Sequence, residues 1–158
     1  MLRLIVDGMD GDTRAVVEAV GVCFNSHNFD GLDDFVAEDM RNLAAGPQGR
    51  EGWKAVWGAI VSCFPDVVAE TKAIIVDGDQ AAVHTVMVGT HRASVMPLLD
   101  GIVPTGAHVA WEFVHLFKVD GGLIVEHSAV RDDLGLLKQL ASNPDSPTST
   151  EKFPPLSR

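Results

Sequence analysis

Two histidines stand in a run of alternating residues between positions 111 and 131. In its first half, aromatic side chains and one imidazole recur at a period of two, so on a β-strand they share one face: Trp111, Phe113, His115 and Phe117. His127 follows on a second alternating segment, beyond an Asp-Gly-Gly hairpin turn at 120–122. Because an imidazole can move protons near neutral pH, these two histidines are candidate acid/base residues, although on an aromatic face they could equally be satisfied core residues.

Metal chemistry is not indicated by the spacing of the potential ligands. The chain has six histidines and 22 acidic residues, but no pair follows a pattern typical of metal ligands, such as H-x-E or H-E-x-x-H. We therefore predict no metal site.

The elements that must position the two histidines are predicted from periodicity. Helical spacing favours helices over 12–25, 30–36 and 50–64, and alternation favours strands over 68–76 and 82–91 before the hairpin that carries the histidines. Residues 39–49 are predicted to form a loop, and residues 92–106, with Met96, a loop folded over the mouth of a pocket. Asp132 or Asp133 can cap a short closing helix that runs to about Leu140. Helices followed by a meander of strands indicate an α+β fold.

Length and charge narrow the classes of function. The 158 residues predict one domain at 12–142, with an extension at 1–11 and a polar, flexible tail rich in Pro, Ser and Thr at 143–158. The net charge of -10 excludes partners such as nucleic acid or an anionic membrane surface. No stretch reaches the roughly 18 apolar residues that a membrane span needs. Cys23 and Cys63 are interpreted as reduced core thiols, and a cytoplasmic location is predicted.

The closing stretch carries a specific motif. After the first histidine strand and the Asp-Gly turn come I-V-E-H at 124–127 and R-D-D-L-G-L-L-K-Q-L at 131–140. This motif resembles the end of the SnoaL-like polyketide cyclases, a branch of the NTF2-like superfamily, and the likeness extends from about Thr13 to Leu140. It implies a cone-shaped α+β fold, in which a curved, mostly antiparallel sheet packs with three N-terminal helices and a short C-terminal helix. It also implies a pocket for a fused-ring aromatic polyketide, and a homodimer, since dimers are common in this superfamily.

The resemblance implies an intramolecular aldol ring closure on a polyketide ester in antibiotic biosynthesis. The reaction removes a proton next to a carbonyl and delivers one to oxygen, and no cofactor is expected because the substrate itself delocalises the carbanion. A pocket histidine and a pocket asparagine of the family fall on His115 and Asn42, and another family aspartate falls on Asp132. The acid/base aspartate of the cyclases falls on Ala129, which cannot move a proton.

The loss of that aspartate favours a second hypothesis within the same family. Some SnoaL-like proteins of anthracycline pathways are associated with cofactor-independent hydroxylation. On this hypothesis His115 accepts a phenol proton, Asn42 and His91 orient the oxygens, and the phenolate reacts with oxygen. The residues predicted to bind the substrate are Trp53, Trp57, His91, Met96, Trp111, Phe113, Phe117, His127 and Ala129.

Structural roles remain open for most of these residues. The two strand histidines could be satisfied core residues, His91 and His108 exposed strand-end residues, Asn42 a turn residue, and the two tryptophans of the third helix core residues. A non-catalytic protein that binds a polyketide or another hydrophobic ligand is one alternative to an enzyme. An interaction domain that offers Val114 and Leu116 to a partner is another.

Overall fold

The structure is a computed structural model that describes residues 2–44 and 46–142, with side chains from residue 12 onward. The helices are α1 (Leu2–Asn25), α2 (Gly49–Cys63) and α3 (Asp133–Ala141), and 3₁₀ turns lie at Asp30–Asp34 and Pro97–Leu99. The strands are β1 (Val36–Asn42), β2 (Val68–Asp77), β3 (Gln80–Thr90), β4 (His108–Asp120) and β5 (Leu123–Arg131). None of the helices in the described part of the chain is long and apolar enough to cross a membrane.

The five strands form one open sheet in the order β1-β5-β4-β3-β2. The β1–β5 pair is parallel, and the other three pairs are antiparallel. In one row across the sheet, Asn42 lies opposite His127 and His127 opposite Phe117, and in a neighbouring row Ala129 lies opposite His115. Because paired residues point to the same side of a sheet, the register brings both strand histidines to one face.

The helices cover that inner face. Side chains of α1 and α2 join those of the sheet in one buried cluster, which includes Val17, Val20, Phe24, Trp53, Trp57, Val83, Met87 and Phe117. Each large apolar side chain buried in this way contributes about 1.5–3 kcal/mol. At its end, α1 is fastened to β2, since the Asn25 amide donates to Ala69 O at 3.0 Å and accepts from Ala69 N at 2.8 Å. The predicted α+β fold, with a mostly antiparallel sheet behind three N-terminal helical segments, is confirmed.

Two local predictions in the first half of the chain were wrong. The 3₁₀ turn ends at Asp34, and the residues predicted as the end of a helix and the start of a loop form β1. A register irregularity between Val36 and Arg41 interrupts the alternation of this edge strand, and its middle exposes Glu38 and Asp39. The strand is stabilised by pairing with β5, far away in sequence, which no local pattern reports.

The first helix starts earlier than predicted, whereas the last helix starts where it was predicted. Helix α1 begins at Leu2, well before the predicted start at Asp12. Helix α3 begins just after Asp132, as predicted, and ends at Ala141. The tail at 143–158, for which flexibility is predicted, lies outside the described residues.

Candidate active site

A cavity of about 600 Å³ lies between α1, α2 and the inner face of the sheet. Its wall is mostly apolar and includes Val17, Trp53, Trp57, Val83, Met87 and Phe117. The lining residues that are exposed to solvent, such as Glu18, Val22 and Thr71, belong to α1 and β2. The cavity therefore opens between α1 and β2.

His115 is the one histidine among the residues that line this cavity. On β4 its ring is nearly parallel to those of Phe113 and Phe117, with centroids 5.2 Å and 5.8 Å away and interplanar angles of 8° and 14°. These rings fix the tilt of the imidazole. Alternation along a single strand, visible in the sequence, is what creates this stack.

A second imidazole lies directly behind the first. His115 Nδ1 and His127 Nε2 are 3.1 Å apart, within hydrogen-bond distance. His127 is only 5% exposed and does not line the cavity. Because Nδ1 of His115 is engaged with His127, Nε2 of His115 is the nitrogen left to meet a ligand.

Both imidazoles are neutral at neutral pH. Burial lowers the pKa of His115 to about 4, although its side chain keeps partial exposure through the cavity. Burial, and next the nearby His115, lower the pKa of His127 to about 3. A neutral His115 can accept a proton from a ligand, and the imidazolium so formed would be paired with the anion that it has created.

The aromatic residues predicted to bind substrate divide into two groups. Trp53, Trp57 and Phe117 line the cavity and also belong to the core, so the two roles proposed for the tryptophans coexist. Phe113 and Trp111 lie further along β4 and do not line it. Ala129 is also absent from the lining, but lies across from His115 on β5.

The segment 92–106 does not cover the cavity mouth, contrary to the prediction. None of its residues lines the cavity, and Met96 is buried elsewhere. The backbone N–H groups of Arg92 and Ala93 donate to Cys63 O, at 2.8 Å and 3.3 Å. The segment therefore packs at the C-terminal end of α2, where Met96 and Leu99 are buried, while the cavity mouth opens on the side of α1.

His91 is neither an exposed strand-end residue nor part of the cavity lining. It is fully buried, its Nδ1 lies 3.2 Å from Thr105 N, and its Nε2 lies 2.9 Å from Ser94 Oγ. The chain folds back around it, since Gly106 N donates to His91 O. The exposure predicted for His108 is confirmed.

Asp132 is also outside the cavity lining. Its Oδ1 accepts a hydrogen bond of 2.9 Å from Gly135 N, so it is the N-cap of α3.

The two cysteines are free and buried, as predicted. Within residues 2–44 and 46–142, no group of three or more His, Cys, Asp or Glu side chains is placed to hold a metal ion.

Asn42 lies beside His127 in the sheet, but its amide is used by a turn. Its Nδ2 donates to Pro47 O at 3.1 Å, and its Oδ1 accepts from Ala44 N at 3.2 Å. The side chain does not line the cavity. This geometry favours the turn role over contact with a ligand.

Replacing Asn42 with alanine is therefore expected to act on stability. Loss of the two turn bonds should lower the free energy of unfolding by about 1–3 kcal/mol, measured by urea denaturation. Asn28→Ala is the control, because Asn28 accepts one exposed bond from Gly31 N and its loss should cost less. A stable Asn42→Ala protein that no longer binds ligand would instead support the role implied by the resemblance.

The two threonines of the cavity were not predicted from the sequence. Thr71 and Thr85 line it and lie opposite each other on β2 and β3. Thr85 alternates with Val83 and Met87, so the signal was a polar residue on the apolar face of a strand. Together with His115, the threonine hydroxyls are polar groups available to a ligand within this apolar wall.

Comparisons with known proteins agree with this fold. IdmH from Streptomyces antibioticus, a candidate polyketide cyclase, is 29% identical, with a TM-score of 0.71 over 81% of this chain and 97% of that chain. AclR from Streptomyces galilaeus, a candidate hydroxylase, and TsrD from Streptomyces laurentii are each 23% identical. AclR has a TM-score of 0.72 over 83% of this chain and 96% of that chain, and TsrD one of 0.74 over 82% and 95%. These two show the fold alone.

A search of curated proteins gives no match. The family described as SnoaL-like polyketide cyclase matches residues 14–140, which is most of the chain and includes the cavity and both histidine strands. The chain therefore belongs to the SnoaL-like polyketide cyclase family.

Proposed function

We propose that this protein is an enzyme of antibiotic biosynthesis that removes a proton from an aromatic, anthracycline-type polyketide, with His115 as the base. The observation that carries the proposal is a neutral imidazole in the wall of a 600 Å³ apolar cavity. Cavities of roughly 300–1,000 Å³ suit ligands of this size. Indole and phenyl rings of Trp53, Trp57 and Phe117 offer stacking surfaces for fused aromatic rings.

Hydroxylation is the reaction that we favour. His115 Nε2 takes a phenol proton from a hydroquinone, and the electron-rich ring reacts with O₂. The atoms and electrons of this reaction balance without a bound cofactor. A hydroquinone and O₂ give a hydroxyquinone and water, and the substrate supplies the electrons. Ala129 supports this choice, since a methyl group stands across from His115 where the cyclases have their acid/base aspartate.

Aldol ring closure is the second candidate, and the name of the family favours it. There His115 removes a proton next to a carbonyl, the carbanion forms a carbon–carbon bond with a second carbonyl, and the proton returns to the new alkoxide. The product is an isomer of the substrate. A non-catalytic binding protein remains the alternative to both reactions.

Binding of an aromatic polyketide is the first requirement of the proposal. A hydroxyanthraquinone that enters the cavity should quench the fluorescence of Trp53 and Trp57, which line it. We expect a saturable titration with one ligand per chain. A signal that does not change, or that does not saturate, would count against a polyketide site.

Partly filling the cavity should weaken this binding. Gly21 lines the cavity, and a Cβ added to it meets nothing within 4 Å. Gly21→Phe should weaken binding of the hydroxyanthraquinone by about tenfold or more, equivalent to about 1.4 kcal/mol, while the helix remains stable. Gly58→Phe is the matched control, because Gly58 is also a helical glycine with open space but does not line the cavity. Equal affinities of the two variants would place the ligand elsewhere.

The homodimer implied by the family stays a prediction. Val114 and Leu116 are 38% and 47% exposed on the outer face of the sheet, where Val130 adds to the apolar surface. This face offers an apolar contact surface for a second copy. Sedimentation of the wild-type protein and of a Leu116→Lys variant would test it, with dissociation expected for the variant.

A further inference from the structure

His127 does not line the cavity, but the environment of its two ring nitrogens indicates more than a packing role. It is buried beside Trp53 and Phe117, with ring centroids at 4.8 Å and 5.2 Å. Its Nε2 meets His115, and its Nδ1 is buried with no hydrogen-bond partner among the described residues. A buried imidazole nitrogen without a partner is costly, so a role beyond packing is indicated.

The contact between the two rings couples their tautomers. Two neutral imidazoles can share a hydrogen bond only if one of the facing nitrogens carries a hydrogen. When His115 Nδ1 donates, His115 Nε2 has a free lone pair toward the cavity and can act as a base. When His127 Nε2 donates, His115 Nε2 carries a hydrogen and can act as an acid. The state of His127 thus decides which of the two roles His115 can perform.

We propose that His127 is a positioning residue that sets the tautomer of His115 and can take over its Nδ1 proton transiently after His115 Nε2 becomes protonated. This inference rests on the proposed function of His115 as the base. His115 Nε2 first gains a proton from the substrate, and the Nδ1 proton then crosses to His127 Nε2. His115 is left neutral with a hydrogen on Nε2, ready to return it to a product oxygen. The reverse shift restores the starting pair, so the cycle consumes no proton and no electron.

Burial makes a positive charge on His127 costly, so the proton can stay there only transiently, and one neighbouring group offsets part of that cost. The Trp53 ring lies within the distance at which an aromatic face attracts a cation. A second excess proton is disfavoured, because two positive rings 5.4 Å apart would repel each other in an apolar site. The pair therefore holds at most one excess proton. In this chain the second imidazole supplies the acid/base partner that Ala129 cannot supply.

Two substitutions of His127 separate positioning from proton transfer. His127→Gln keeps a polar atom close to the place of Nε2 but cannot carry the charge, whereas His127→Phe removes the hydrogen bond and keeps a ring. The first readout is the ¹⁵N NMR signature of the His115 nitrogens in histidine-labelled protein. We expect a single His115 tautomer in the wild type and the same single tautomer in His127→Gln. In His127→Phe we expect a mixture of His115 tautomers. His91→Gln, at a buried histidine outside the cavity, should leave the His115 signals unchanged.

The second readout is turnover of the hydroquinone substrate. Both substitutions should lower kcat, by about 10- to 100-fold, the range known for loss of the partner that orients a metal-binding imidazole. KM should stay near the wild-type value in His127→Gln. A wild-type kcat in His127→Gln would overturn the transfer of the proton to His127.

The NMR readout needs no substrate, so the two proposals fail separately. His115 signals that are identical in the wild type and in His127→Phe would overturn the coupling between the two histidines. This holds whether or not the protein turns over a polyketide. If the His115 signals change in His127→Phe but the wild-type protein transforms no polyketide, the coupling between the two histidines is supported and the proposed function is overturned.

Discussion

Replacing His115 with asparagine is expected to lower turnover of an aromatic polyketide by about 10²- to 10⁴-fold, the range for loss of a general acid/base. Asparagine can place a polar atom near the position of Nδ1 and so still bond to His127, but it has nothing at the position of Nε2. The substitution thus removes the nitrogen that faces the ligand and retains the partner of the buried His127.

The ligand should still bind to this variant. Most of the cavity wall is apolar and stays intact, so the Kd of a hydroxyanthraquinone should change by no more than about threefold, less than 1 kcal/mol. His84→Asn is the matched control, because His84 lies on the neighbouring strand β3 but faces outward and pairs with Glu112. Turnover is measured by product mass and binding by tryptophan fluorescence. A His115→Asn protein with wild-type turnover would show that another group is the base.

The second large effect is a loss of stability at mildly acidic pH. The folded protein holds His115 and His127 with pKa values of about 4 and about 3, whereas an unfolded chain has histidine pKa values near 6.5. Between pH 6.5 and 4 the unfolded state therefore binds more protons, and the free energy of unfolding falls as the pH falls. Each histidine contributes about 1.4 kcal/mol per pH unit within that window. Burial also lowers the pKa of His91, which acts in the same direction.

The stability that the neutral, buried histidines contribute is expected to be fully present above pH 6.5 and to decrease steeply below it. A domain with about 5–15 kcal/mol of total stability would lose a large share of it by pH 5. Urea denaturation at pH 7.5, 6.0 and 5.0 measures this slope, and His127→Phe should remove about half of the part that comes from the pair. A free energy of unfolding that is constant from pH 7.5 to 5.0 would mean that the two imidazoles are not buried in neutral form.

Local patterns predicted the histidine hairpin well. The alternation around His115, the Asp-Gly-Gly turn and the cap at Asp132 are all properties of neighbouring residues, and the structure has each of them. The contact of His115 with His127 follows from the register of that hairpin. It became visible only when the pairing of Phe117 with His127 was known.

The features that the sequence did not predict depend on residues far apart in the chain. Strand β1 forms because β5 offers it an edge, and its own residues alternate poorly. His91 is buried because the segment 92–106 turns back over it, and this placement also leaves the cavity mouth to α1 and β2. Neither the path of an irregular segment nor the opening of a cavity is encoded in a periodicity.

The most direct test of the account is the product formed by the purified wild-type protein. An aromatic polyketide hydroquinone and an open polyketide methyl ester would be incubated with the protein, with and without isotopically labelled oxygen gas, and analysed by mass spectrometry. Under labelled oxygen we predict a hydroxyquinone that contains one labelled oxygen atom. The quinone that forms without the protein, by simple oxidation, contains none. An unchanged mass with a shifted retention time for the ester would select aldol closure instead. No new product from either compound, with the ligand bound in the cavity, would contradict the claim that His115 removes a proton from a polyketide.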